Sequence, residues 1–139
     1  MVSGKEAVTE AATMTEIRKR LGARGEDAAV DHLDRIGIEI IERNWRCALG
    51  EIDIVARDGN VLVFVEVKTR KQLSAGSPEE AVNSAKQQRY SKLARAYLQD
   101  HEYTDAETRF DVIAITVTAK NRARLRHVQN AYACSAELN

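Results

Sequence analysis

The sequence predicts an α/β fold, a mixed sheet flanked by helices in the order αβββαββ. Three observations predict it. Residues 15–36 carry apolar and small side chains at spacings of three and four, the mark of one inward helix face. Two β-branched runs, Ile52-Asp53-Ile54-Val55 and Val61-Leu62-Val63-Phe64-Val65-Glu66-Val67-Lys68, flank an Asp58-Gly59 hairpin signal. A second helical pattern over 77–100 then separates these strands from two further apolar runs, 110–118 and 125–133. At 139 residues the chain fits one domain with a hydrophobic core that needs no staples.

The elements follow in order. Residues 1–15 include Lys5, Glu6 and Glu10 and lack the apolar core of a signal peptide, so they are expected to be a flexible tail before a single domain over 16–139. In the first helix, Leu21, Gly22, Gly25, Ala29, Leu33 and Ile36 form the inward face, with the two glycines allowing close approach to a sheet. Gly37 stops that helix. Residues 38–46 form the first strand, with Trp45 packing near its end; 51–57 and 61–69 form the second and third. After a short loop, Ser77 as N-cap, Pro78 as first helical residue and Glu80 as capping-box partner open the second helix. Its inward positions are Val82, Ala85, Leu93, Ala96 and Tyr97.

Composition narrows the function class. An apolar fraction of 44% and a charged fraction of 30% are ordinary for a soluble globular protein. No apolar stretch approaches the roughly 20 residues of a membrane helix, which predicts a cytoplasmic protein without a membrane partner. Cys47 and Cys134 form no CxxC pair and His32, His101 and His127 are scattered, so reduced thiols and no zinc site are expected. Net charge is zero, which argues against a nucleic-acid coat protein, but its distribution is uneven. Residues 1–60 carry 9 Lys/Arg against 12 Asp/Glu, and the remainder 12 against 9. From Lys68 to Arg95 the chain holds seven basic residues, among them Arg70, Lys86 and Arg89, against only Glu79 and Glu80. That is either a basic field for phosphate or a solvated helix face.

Glu66 and Lys68 interrupt a strand whose composition demands cover on both faces. A carboxylate there must be paired, protonated or bound to a metal, because an isolated buried charge costs several kcal/mol or more. Asp53 interrupts the preceding strand. With a two-residue Asp58-Gly59 loop, Arg57 faces Asn60, Val55 faces Leu62 and Asp53 faces Phe64. Glu51, Asp53, Phe64, Glu66 and Lys68 then share one face, with Asp53 and Glu66 as diagonal neighbours roughly 7–8 Å apart. Glu26 falls on the inward stripe of the first helix, unlike Asp27 and Asp31. Mg²⁺ (or Mn²⁺) takes oxygen ligands and usually one or two protein carboxylates. Asp53 and Glu66, with the Val67 carbonyl and Glu26, fit that demand. Lys68 is then placed to position a metal-bound water or offset charge on a phosphorane, and Lys86 and Arg89 to reach phosphate oxygens. The rival for Glu66 and Lys68 is a same-face ion pair, and for Lys86 and Arg89 snorkelling at the edge of the core.

Gly50-Glu51-Ile52-Asp53 followed by Val65-Glu66-Val67-Lys68-Thr69-Arg70 resembles the signature of the bacterial YraN-like uncharacterised protein family. The resemblance runs from about residue 21 to 132 and takes in Gly22 to Glu26, Arg43-Asn44-Trp45-Arg46, Ala81-Val82, Lys86-Gln87 and Arg109-Phe110-Asp111. That family is similar to archaeal Holliday junction resolvases of the PD-(D/E)xK nuclease superfamily. The resemblance implies a three-layer α/β/α restriction-endonuclease-like fold with a central mixed sheet. By position it implies Asp53 and Glu66 as metal ligands and catalytic acids, Lys68 as the catalytic lysine and Glu26 as the glutamate of the first helix. Gln87, or Lys86 beside it, matches a helical polar residue near the site. Ile52 replaces the proline that names the motif, a position that carries no chemistry. The implied activity is a metal-dependent endonuclease acting on phosphodiester bonds of DNA, on branched or junction DNA in repair or recombination, with a homodimer suited to symmetric cutting. The alternative is a nucleic-acid-binding or partner-docking module with negligible activity, and a third reading makes Asp53, Glu66 and Lys68 a purely structural ionic network.

Overall fold

Helix α1 spans Met14–Arg35 and stops where Gly37 predicts. Gly37 takes a φ of 88°, a region open to glycine at little cost. Its N–H donates to the Asp34 carbonyl, and the Ile38 N–H donates back to the Leu33 carbonyl at 2.9 Å, which closes the orphan carbonyls of the last turn. Leu33 and Ile38 pack in the same cluster behind this cap. The computed structural model describes residues 14–71, 84–103, 105–119 and 122–131. The tail expected at 1–15 falls outside them up to residue 13, and residues 14 and 15 are already helical.

Five strands follow the predicted order with shifted ends: β1 (Glu39–Cys47), β2 (Gly50–Asp58), β3 (Val61–Lys71), then helix α2 (Ser84–Asp100), β4 (Glu107–Ala119) and β5 (Arg122–Val128). Ser77, Pro78, Glu80 and Val82, and with them the predicted capping box, lie outside the described residues. So does Cys134, while Cys47 is a free thiol. The sheet order is β1-β2-β3-β4-β5. The β3–β4 pair is parallel and the other pairs are antiparallel, as helix α2 between β3 and β4 requires.

The two helices cover opposite faces. Ala29 and Leu33 of α1 pack on Ile54, Ala56, Val63, Val65, Ile113 and Ile115. Tyr90, Leu93, Ala94 and Tyr97 of α2 pack on Ile52, Val55, Leu62, Phe64, Phe110 and Val112. This is a three-layer α/β/α arrangement around a mixed sheet, consistent with a restriction-endonuclease-like fold. Trp45 meets Tyr97 edge-on with ring centroids 5.2 Å apart, a packing role at the strand end. Among the described residues no helix is long and apolar enough to cross a membrane.

Several inward positions differ from expectation. Gly25 is the close-approach residue: a Cβ there would collide with the Thr69 Oγ1. Gly22 has nothing within 4 Å of such an atom, and Ile36 is 48% exposed because it lies past the last helical turn. On α2, Ala85 is exposed, and Tyr90 and Ala94 take inward places.

The hairpin register also differs. Asp58 pairs with Val61, Arg57 with Leu62 and Ile54 with Val65, so the turn residues are Gly59 and Asn60. Gly59 adopts a φ of 62°, and the turn forms around the residue that tolerates it. Asp58 stays in the strand, where its carboxylate accepts a hydrogen bond from Arg109 at 2.9 Å.

Candidate functional site

Strand β2 changes face in its middle. Ile52 and Val55 both belong to the α2 layer, although strict alternation would send residues three apart to opposite sides. Ile54 belongs to the α1 layer. The reversal occurs at Asp53. Across the ladder, Arg43 pairs with Ile54 and Trp45 with Ile52, and Asn44 between them has a φ of 55°. Asparagine is among the few residues that visit this region at modest cost.

The expected single face of Glu51, Asp53, Phe64, Glu66 and Lys68 is therefore split. Glu51 and Asp53 open into a cleft of about 530 Å³ on the α1 side, lined also by Glu26, Asn44, Val67 and Thr69. Phe64, and with it Glu66 and Lys68, faces α2. The β2–β3 ladder ends at Ile54–Val65, one residue short of Asp53 and Glu66. The Val67 N–H donates to Asp53 Oδ2 at 2.9 Å and holds that carboxyl at the boundary between the two faces.

The electrostatics are those of crowded acids. Burial, with the charges of Glu26, Glu51 and Glu66, pushes Asp53 up to about 6 despite the Val67 hydrogen bond. Glu66 is 5% exposed. Its Oε2 lies 3.0 Å from Lys68 Nζ and 3.9 Å from Lys86 Nζ. Its Oε1 is buried with no hydrogen-bond partner among the described residues. Burial opposes the Lys68 charge, but its hydrogen bonds to Lys86 and Glu66 and the nearby acids hold it above the ordinary lysine range. Lys86 is lowered, by Lys68 first and then by burial. The opposite shifts have one cause: two lysines share one carboxylate, and the nearer one keeps its proton more firmly.

Glu26 reaches the cleft as its helical position predicts, with its side chain 15% exposed, whereas Asp27 and Asp31 point outward. Glu26 Oε1 accepts from Arg43 at 3.0 Å and from Asn44 at 2.9 Å. Arg43 and Asn44 are thus site residues that spacing alone did not single out; an asparagine inside a strand run was the available signal. Val67 lines the cleft and binds Asp53 through its N–H. Arg70 and Gln87 are half-buried. Arg89 is exposed rather than inward.

Among the described residues no three His, Cys, Asp or Glu side chains stand together as a metal-holding group. Asp53 opens into the α1-side cleft, Glu66 faces α2, and Glu26 is occupied by Arg43 and Asn44. A pair of carboxylates suits Mg²⁺, which takes one or two and keeps waters. Glu66 Oε1, without a hydrogen-bond partner among the described residues, and the raised Asp53 carboxyl are the two acidic groups of the site left short of donors.

A different buried acid lies close by. Asp111, 1% exposed, accepts hydrogen bonds from Arg109 at 2.9 and 3.1 Å, from His127 at 2.8 Å and from the Asn130 N–H at 3.0 Å. Burial pushes its carboxyl up, but these donors outweigh burial and hold it below the ordinary range. His127 in turn meets His32 of α1 at 3.1 Å.

Fold and site together define an α/β/α protein with Asp53 in a cleft on one face of the sheet and a Glu66–Lys68–Lys86 cluster on the other. The uncharacterised protein family UPF0102 matches residues 25–115. A UPF0102 protein of Geobacter sulfurreducens is 51% identical over 114 residues, covering 82% of this chain and 89% of the relative. One from Beutenbergia cavernae is 48% identical over 109 residues (78% and 92%), and one from Rhodococcus jostii 46% identical over 112 (81% and 95%). The chain belongs to the UPF0102 family.

Proposed function

We propose that this protein is a metal-dependent endonuclease that hydrolyses phosphodiester bonds of DNA, with branched or junction DNA as the favoured substrate class. The observation that carries the reading is Glu66: a buried carboxylate with one oxygen on two lysines and the other without a partner among the described residues, near an acid raised to about 6. A structural ion pair would satisfy both oxygens.

Asp53 and Glu66 would hold Mg²⁺ or Mn²⁺, with the Val67 carbonyl and Glu26 as further oxygen donors. When bound, the cation polarises a phosphoryl oxygen and lowers the pKa of its water. Lys68, fixed on Glu66, places a full positive charge where negative charge develops on the phosphate. Lys86, 3.9 Å from the same Glu66 oxygen, supports the phosphate backbone with Arg70, Gln87 and Arg89. The Val67 N–H orients Asp53 toward the cleft. Symmetric cutting of two strands suits a two-fold homodimer, and the activity suits the cytoplasm.

One observation favours a second reading, a nucleic-acid-binding module without turnover: Arg43 and Asn44 already occupy Glu26, and two lysines already compensate Glu66 Oε2. A labelled panel of four-way junction, flap, single strand and duplex, incubated with Mg²⁺, Mn²⁺ or EDTA, separates the two. The nuclease reading expects metal-dependent cutting that Lys68→Ala abolishes. Binding without cutting on every substrate would sink it.

A further inference from the structure

The α2 face of the sheet carries a cationic strip that extends past the carboxylate cluster to the opposite edge strand. In register, Lys68 of β3 lies beside Ala114 of β4, and Ala114 beside Arg126 of β5. Two residues on, Arg70 lies beside Thr116, and Thr116 beside Arg124. Leu62, Phe64, Phe110 and Val112 belong to the α2 layer, so alternation brings Lys68, Arg70, Ala114 and Thr116 to that side. Leu125 packs against the α1 layer, which turns Arg124 and Arg126 the other way, toward α2. Both arginines are exposed.

The layout is a shallow trough. Small side chains of β4 form its floor, and cations line both walls. With strands about 4.8 Å apart, the walls stand about 9.6 Å from each other, and successive rows along the strands about 6.6 Å apart. Lys86 of α2 reaches the inner end of the trough at Glu66, and α2 carries no acid between Ser84 and Gln99. β5 reads Arg-Ala-Arg-Leu-Arg-His-Val, with no acid at all. Three exposed arginines elsewhere pair with acids: Arg35 with Asp31, Arg46 with Glu51 and Arg57 with Glu39. Arg124 has no carboxylate partner among the described residues. A merely solvated surface would mix the signs, as the N-terminal half does.

We propose that Arg124 and Arg126 of β5, together with Arg70 of β3, form a track for the sugar–phosphate backbone of duplex DNA, one that seats it beside Lys68. The assignment of Lys68 as the reacting end rests on the nuclease reading; the track itself rests on charge and register.

Binding, read apart from cleavage, tests it. Anisotropy of a labelled DNA duplex is followed as a function of salt, in EDTA and in Ca²⁺, for wild type, Arg124→Gln/Arg126→Gln and a control, Arg35→Gln/Arg57→Gln. Each lost phosphate contact should remove about 0.9 from the slope of log K against log salt, so the β5 double variant should fall by about 1.8 and the control should not change. Equal slopes for wild type and the β5 variant overturn the track, as does an equal fall in the control. If junction cutting by wild type is present while the slopes are equal, only the track fails. If cutting is absent but the β5 slope falls, the track stands on a binding protein and the nuclease reading fails. A wild type with no salt-dependent binding overturns both.

Discussion

Two buried acids on adjacent strands show how differently one sheet can treat a carboxylate. Asp111 of β4 stands beside Val65 in the parallel register, one step from Glu66, and the two acids face opposite layers. Asp111 has a donor for every direction: a guanidinium, an imidazole and a backbone N–H. Its pKa falls although it is buried. Glu66 and its neighbour Asp53 share fewer donors than they have lone pairs, and Asp53 rises to about 6. A satisfied acid locks α1, β4 and the end of β5 together through His32, His127 and Asn130. An unsatisfied pair stores unfavourable charge that a cation would relieve. Burial is common to both, so it is the count of donors that distinguishes structure from candidate chemistry.

The contrast can be broken most sharply at Asp111. Asp111→Ala leaves Arg109 and His127 without their shared acceptor, and is expected to cost about 3–5 kcal/mol in a denaturant titration. A loss under about 1 kcal/mol would remove the structural role.

Lys68→Ala comes next. If the nuclease reading holds, activity on the preferred substrate should drop about 10²–10³-fold, the range for deleting one preorganised charge-stabilising group. A variant that unfolds, or one that cuts normally, would return Lys68 to a structural role.

Asp53 supplies the pH test. Its folded pKa of about 6 lies above the 3.8 of the free side chain, so between those values the folded state binds more protons than the unfolded one. Metal-free stability should therefore fall as pH rises from about 4 to 6 and stay low above that. Asp53→Asn keeps an oxygen for the Val67 N–H and discards the charge. It should flatten this profile and stabilise the metal-free protein at pH 8 by up to about 3 kcal/mol. Mg²⁺ should raise the wild-type melting temperature at pH 8 and leave the Asn variant unmoved. A profile that climbs through the same window would show that Asp53 is a satisfied acid like Asp111.

The smallest effect is expected at Arg43. Its pairs with Glu26 and Asp27 are partly exposed, so Arg43→Ala should cost under about 1 kcal/mol. By releasing Glu26 it should tighten Mg²⁺ binding in calorimetry if Glu26 is a donor. Weaker binding would instead make Arg43 a support that positions Glu26.

What the sequence determined by itself is local. The helix stop at Gly37, the two β-branched runs, the hairpin between them and the acids inside both strands follow from φ preferences, side-chain period and the cost of burying charge. Glu26 was also legible, because one helix face is settled by a spacing of three and four. Tertiary structure decided what depends on partners far along the chain. The hairpin slipped by one residue because Gly59 suits the turn and Arg109, 51 residues away from Asp58, keeps that acid in the strand. The face change at Asp53 needs a paired irregularity at Asn44 in the neighbouring strand, which no period within β2 announces. The Asp111 cluster draws on residues 32, 109, 111, 127 and 130, which only the sheet order brings within hydrogen-bond reach. The side to which Arg124 and Arg126 point was decided by Leu125 finding the α1 layer. Local steric and burial rules act within a few residues and can be read off the chain, whereas register, face and donor count are properties of pairs, and those pairs exist only once the chain has folded.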